Sequence, residues 1–213
     1  MSSVTYFSLS GIFSYIDPTE LSKFQTYLSQ INNSPIYKLT TKELTYRTVF
    51  PEKFELGNTE LHLIQNLNQT NEMPDFYEDK NWIVKFYERS PLAAKAEVNA
   101  RSVVESVCEG SEVNSWIAGL GFHLWEVISK DGWGFRSPEG VETFAYNLYV
   151  HKDEKMNLYK ISDKLVQSKY LIVEAMTKRV DVDNVNQEVE IKAKIEELKA
   201  YQGKVSRYFL LNT

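Results

Sequence analysis

Ser90–Gly132, SPLAAKAEVNARSVVESVCEGSEVNSWIAGLGFHLWEVISKDG, is the stretch on which the expected fold turns. Ser90-Pro91 supplies a helix cap followed by a first-turn proline, and Leu92, Ala96, Ala100, Val103, Val104 and Val107 then recur at three- and four-residue steps. Gly110 stands where a helix would end. Ser111 opens a second run in which Val113, Trp116, Ile117, Leu120, Leu124, Val127 and Ile128 share one face, closed by Asp131-Gly132. The spacing predicts two antiparallel helices packed through small residues.

Other segments extend that pattern. Asp17-Pro18-Thr19-Glu20 is a capping box ahead of Leu21, Phe24, Leu28 and Ile31, and Asn32–Pro35 ends the helix it starts. Ile36–Thr40 suits a short strand, and Thr40-Thr41-Lys42-Glu43 a second capping box. Residues 53–67 fit strand and helix alike, because Leu61/Leu63 alternate while Leu61, Ile64 and Leu67 keep helical steps. Trp82, Ile83, Phe86 and Tyr87 suggest a short helix, and Ser137-Pro138-Glu139 starts another through Val141, Phe144, Ala145 and Leu148. Leu165, Val166, Leu171, Ile172 and Met176 read as helix in preference to a buried strand at Tyr170–Val173. A polar connection, 177–186, leads to a long closing helix. The expected fold is therefore mainly α: a bundle-like domain over residues 1–178 with a small β element in the first 60 residues. The polar linker and amphipathic C-terminal helix, 179–213, are packed against it or used for oligomerisation.

Composition narrows the class of protein. The 213 residues are 43% hydrophobic and 25% charged, which excludes a disordered or low-complexity chain. The single cysteine, Cys108, forms no disulfide within the chain, and no export signal opens it, so a cytoplasmic location is expected. No stretch reaches the length of a bilayer-spanning helix. The net charge of −5 falls unevenly: residues 52–112 hold 12 acidic against 6 basic side chains, which disfavours nucleic acid there. The 18 Lys against 6 Arg hint at an AT-rich coding sequence, as in many phages and some bacteria.

Candidate sites are sparse. His123 and Glu126, three residues apart on one expected helix, are the catalytic candidates. Cys108 beside His123 is a weaker nucleophile pair, because Glu109 opposes a thiolate. His62 and His151 complete the histidines, and their spacing predicts no metal site; no cofactor is expected either. Trp133, Phe135 and Arg136 lie in a glycine-punctuated loop, 131–137, suited to binding. Ile191, Ile195, Leu198, Val205 and Phe209 form the apolar stripe of the closing helix, a candidate interface. These features favour a non-catalytic helical subunit, of phage or viral type, that acts by homo-oligomerisation or by binding a partner protein. Beside it stand a small-molecule binder or small hydrolase around His123, Glu126 and the 131–137 loop, and a nucleic-acid-binding or coat protein using the Lys-rich C-terminal third.

Overall fold

The computed structural model describes residues 2–48, 60–67, 81–88, 98–110, 112–151, 158–160, 169–180, 187–206 and 211–212. Eight strands dominate: β1 (Ser2–Tyr15), β2 (Tyr37–Thr48), β3 (Glu60–Asn66), β4 (Asn81–Glu88), β5 (Asn99–Glu109), β6 (Phe122–Arg136), β7 (Glu142–His151) and, after the short β8 (Leu158–Lys160), β9 (Lys169–Val180). They pair in the order β1-β5-β4-β3-β2-β6-β7-β9, and β9 returns to β1 over Val4–Tyr15, so the sheet closes into an antiparallel barrel. β8 adds to β7, and β10 (Leu211–Asn212) adds to β1 beyond the end of β5. The helices are α1 (Pro18–Asn32), α2 (Val113–Gly119) and α3 (Gln187–Val205).

Strand side chains alternate between two faces, and here the closely packed apolar face is the outer one. Phe7, Leu9, Phe135, Ala145, Leu171, Val173 and Ala175 point outward and are covered by Phe24 and Leu28 of α1 and by Leu198, Tyr201 and Val205 of α3. Leu44, Tyr46, Leu61, Leu63 and Val127 form a second outward patch beneath Val113 and Ile117 of α2. Polar bonds fasten the larger cover: the Thr143 hydroxyl lies 2.6 Å from the Tyr201 hydroxyl, Asn32 Nδ2 donates to that same oxygen at 3.2 Å, and Tyr27 donates to the Lys204 carbonyl at 2.7 Å.

The Asp17 capping box forms as its residues dictate. Asp17 Oδ1 accepts from the Thr19 and Glu20 amides at 2.7 and 3.1 Å, and Glu20 Oε2 accepts from the Ile16 amide at 2.6 Å. Asn33, at φ 47° and ψ 40°, ends the helix in the left-handed region.

The expected mainly α bundle is corrected to a β-barrel with helices on its outside. The two helices expected between Ser90 and Gly132 are β5, one short helix and β6; Leu92 and Ala96 lie outside the described residues. The second capping box, Thr40–Glu43, lies within β2, and the Trp82 and Val141 segments are β4 and β7. Tyr170–Val173 is strand, whereas Leu165 and Val166 lie outside the described residues. The physical reason is that these strands carry apolar residues on both faces. In β5, Ala100 belongs to the outer core while Val107 lines the interior, so two strand faces imitate one helical stripe. The β-branched Val103, Val104 and Val107 suit a pleated surface better than a helix.

Candidate functional site

The barrel interior is a chamber of about 730 Å³, within the range of pockets that hold small ligands. The period of two builds its wall. β2 contributes Tyr37, Leu39, Thr41 and Glu43, β7 contributes Glu142, Phe144 and Tyr146, and β9 contributes Glu174, Met176 and Lys178. β3 adds Ile64 and Asn66 and β4 adds Ile83 and Lys85 at the same alternation, β6 adds Lys130 and Arg136, and β5 adds Glu105, Ser106 and Val107. Two glycines make room. A Cβ on Gly134 would lie 2.1 Å from the Tyr37 ring, and one on Gly132 would lie 2.1 Å from the Ala145 carbonyl oxygen. These positions admit no side chain where β7 and Tyr37 approach β6.

Charge on the wall is balanced: Glu43, Glu105, Glu142 and Glu174 face Lys85, Lys130, Arg136 and Lys178. Pairing follows strand register. Lys85 stands opposite Glu105 on the neighbouring strand, with Nζ 2.9 Å from Oε1, and Arg136 stands opposite Glu142 and bonds to it at one mouth. Tyr6 donates its hydroxyl to Glu105, and Lys85 Nζ lies 3.1 Å from that hydroxyl and 4.2 Å from the ring centre. Glu43 takes a bond from His62 Nδ1 at 2.5 Å and lies 3.7 Å from Lys130 Nζ, which sits 5.1 Å from the Tyr146 ring centre. Among the described residues His62 Nε2 is buried without a hydrogen-bond partner, 3.5 Å from Glu60 Oε2.

These contacts set the ionisation of the wall. Burial pushes the Glu43 carboxyl up, but the bond from His62 and the charges of Lys130, His62 and Lys85 outweigh it and leave its pKa at about 2. Burial disfavours the Lys130 ammonium, yet Tyr146, Glu43 and Glu174 raise its pKa on balance. For Glu105, burial is overcome by the charge of Lys85 and the bond from Tyr6, so it stays below the ordinary range. Burial first, then Glu105, pushes the Tyr6 phenol up. Glu43 and Glu105 are thus held as carboxylates and Lys130 as an ammonium at neutral pH, and Glu43–Lys130, Lys85–Glu105 and Arg136–Glu142 form ion pairs within the wall. Such a surface offers salt-bridge exchange partners to a ligand bearing both signs, whereas polyanion recognition would need an excess of cations. Among the described residues, no group of three or more His, Cys, Asp or Glu assembles into a metal site.

The residues singled out from sequence lie elsewhere. His123 and Glu126 are exposed near the start of β6, opposite Arg47 and Thr45, and share a strand, not a helix face. The 131–137 segment is strand β6 leading into a turn. Trp133 and Phe135 face outward against the core shared by α1 and α3, and Arg136 faces Glu142. Ile191, Ile195, Leu198 and Val205 of α3 all pack on the same outer core, while Phe209 lies outside the described residues. His151 lies at the end of β7, opposite Val127. Cys108 is half-buried against the α2 patch.

No family model and no curated protein matches this chain. Solved structures do. A chain of the Schizosaccharomyces pombe Mediator head module is similar over 98% of this chain and 98% of its own, with a TM-score of 0.71 at 11% identity. The Pyrococcus horikoshii protein PH1819 is similar over 92% of this chain and 87% of its own, with a TM-score of 0.52 at 13% identity. An S. pombe RNA triphosphatase, solved with the Spt5 CTD, gives a TM-score of 0.36 at 9% identity over 93% and 77% of the two chains. The first two likenesses show a shared barrel fold. The closed barrel overturns the helical subunit read from the sequence, and the site on a helix and glycine loop loses its scaffold with it. Among the described residues no helix is long and apolar enough to cross a membrane.

Proposed function

We propose that this chain is a barrel receptor within a multi-protein assembly, and that its chamber holds a short segment of a partner chain. The observation that carries the reading is the end-to-end likeness to a chain of the S. pombe Mediator head module, at a TM-score of 0.71 over 98% of both chains. The chamber supports it chemically. Balanced cations and carboxylates, interleaved with Leu39, Ile64, Ile83, Phe144 and Met176, suit a peptide that brings both charge signs and apolar side chains. An intracellular site of action is part of the reading, supported by the lone Cys108.

Affinity purification of the full chain from its native cells, followed by native mass spectrometry, tests this. An assembly of fixed stoichiometry, heavier than the 24.7 kDa chain, is expected. Thr41→Trp, which fills part of the chamber beside Glu43 and Lys130, is expected to release the partner; a chain that isolates alone refutes the reading. A second reading is a phosphorylated small molecule, for which Lys85, Lys130, Arg136 and Lys178, spread around the chamber, would turn from its carboxylates to phosphate oxygens. Calorimetric binding of tripolyphosphate, lost in Lys130→Met, would establish that reading in place of the first.

A further inference from the structure

We infer that the corner formed by α2 and the first residues of β6 is a docking surface for a partner segment that combines apolar anchors with lysine or arginine. The inference rests on the reading of this chain as part of a protein assembly and names a second place on it, outside the chamber. Trp116 and Leu120 stand four residues apart on and just after α2, along the flank of the face that buries Val113 and Ile117, and are 54% and 50% exposed. Leu124 and Trp125 follow within the next turn of chain and are 51% and 65% exposed. Four large apolar side chains left open within ten residues far exceed the scattered single exposures normal on a protein surface.

The backbone places them at the same end of the β2–β6 pair. Tyr46 pairs with Leu124 and Thr45 with Glu126, so Trp125 is the extra residue of a β-bulge and has no partner across β2. The Tyr46 hydroxyl donates to Asn114 Oδ1 at 2.9 Å, which ties α2 to the strand position directly beside Leu124. β7 begins its pairing with β6 only at Val127, so among the described residues Phe122–Glu126 have β2 as their one neighbouring strand.

Charge selects the partner. Glu112 and Glu126 are exposed at the two ends of the patch, and α2 itself carries no charged residue. The nearby cation, Arg47, is already committed: its guanidinium bonds Glu60 at 2.6 and 3.0 Å and stacks 4.5 Å from the Trp125 ring centre. An apolar surface flanked by carboxylates complements an apolar segment flanked by basic residues.

The test is selection of a displayed random-peptide library on the purified full chain, with binding of selected peptides compared across variants. Peptides rich in Lys or Arg beside Leu, Phe or Trp are expected. Their affinity should fall about tenfold or more on Trp116→Glu and several-fold on Glu126→Lys, which leaves the apolar contacts in place. Both positions are exposed, so unchanged thermal unfolding verifies that each variant is folded. Selection of acidic peptides, of no shared motif, or of peptides that bind Trp116→Glu undiminished overturns the inference. So does concentration-dependent self-association of the wild-type chain that Trp116→Glu abolishes, since the occupant would then be a second copy. An intact native assembly with Trp116→Glu would sink this surface alone, whereas the absence of any assembly with the wild type would sink the proposed function.

Discussion

Replacing Glu43 by Gln keeps the shape of the side chain and its ability to accept from His62, and removes only the charge that Lys130 faces at 3.7 Å. Its folded-state pKa of about 2, against an ordinary 4.5, corresponds to about 3 kcal/mol of stability from this one ionised group. The carboxyl titrates lower in the folded state, so that stability is fully present above about pH 4.5 and is lost as pH falls through about 2. Glu43→Gln should therefore be about 3 kcal/mol less stable than wild type at pH 7, in line with the cost of stripping one partner from a buried ion pair. Urea unfolding at closely spaced pH values measures this, because every other carboxylate is common to both proteins and cancels. The gap should close steadily between pH 4.5 and pH 2. A gap below about 1 kcal/mol at pH 7, or one that persists unchanged near pH 2, would refute the assignment of Glu43 as a charged anchor of the wall.

Gly134→Ala should destabilise by about 1–3 kcal/mol in thermal unfolding, because the new methyl meets the Tyr37 ring; adding Tyr37→Ser should recover most of that loss. Leu198→Ala, at a fully buried position of α3, should cost about 2–5 kcal/mol in urea titration, while Val189→Ala, 69% exposed on the same helix, should cost almost nothing. Tyr201→Phe should cost about 1–2 kcal/mol, measured as a shift in Tm, because Thr143 and Asn32 both lose the hydroxyl they share. Exchanging the charges of Lys85 and Glu105 should restore part of the stability that either single reversal removes; additive losses in the double variant would deny that the pair interacts.

Helix ends were easier to read from sequence than strands, and the reason is chemical. Asp17-Pro18-Thr19-Glu20 satisfies its own amides within four residues, so the local sequence suffices to start α1. A strand's partner is far away: Thr5 pairs with both Ser102 and Arg179, and no short window contains that information. The alternation was present in β9, where Leu171, Val173 and Ala175 interleave with Glu174 and Lys178. Ile172 and Met176 on the inner face blurred it into a helical pattern. The chamber stayed invisible for the same reason. Glu43, His62, Lys85, Glu105 and Lys130 are scattered over 88 positions and meet only through register; the one available signal was a charged residue recurring between apolar neighbours in segment after segment. His123 and Glu126 drew attention because a helix would have brought them together, and a bulged strand does not.

Closure of the barrel through β1 and β9 also bears on the order of events at the ribosome. Residues 4–15 leave the ribosome well before the strand that covers one of their edges, 169–180. At about 5–20 residues per second, β1 waits roughly 10–30 s with that edge open, and the ring forms only when β1 and β9 meet. Such distant pairing predicts slow refolding compared with a helical protein of equal length. It also leaves the nascent chain dependent on whatever shields an apolar strand until its mate is synthesised.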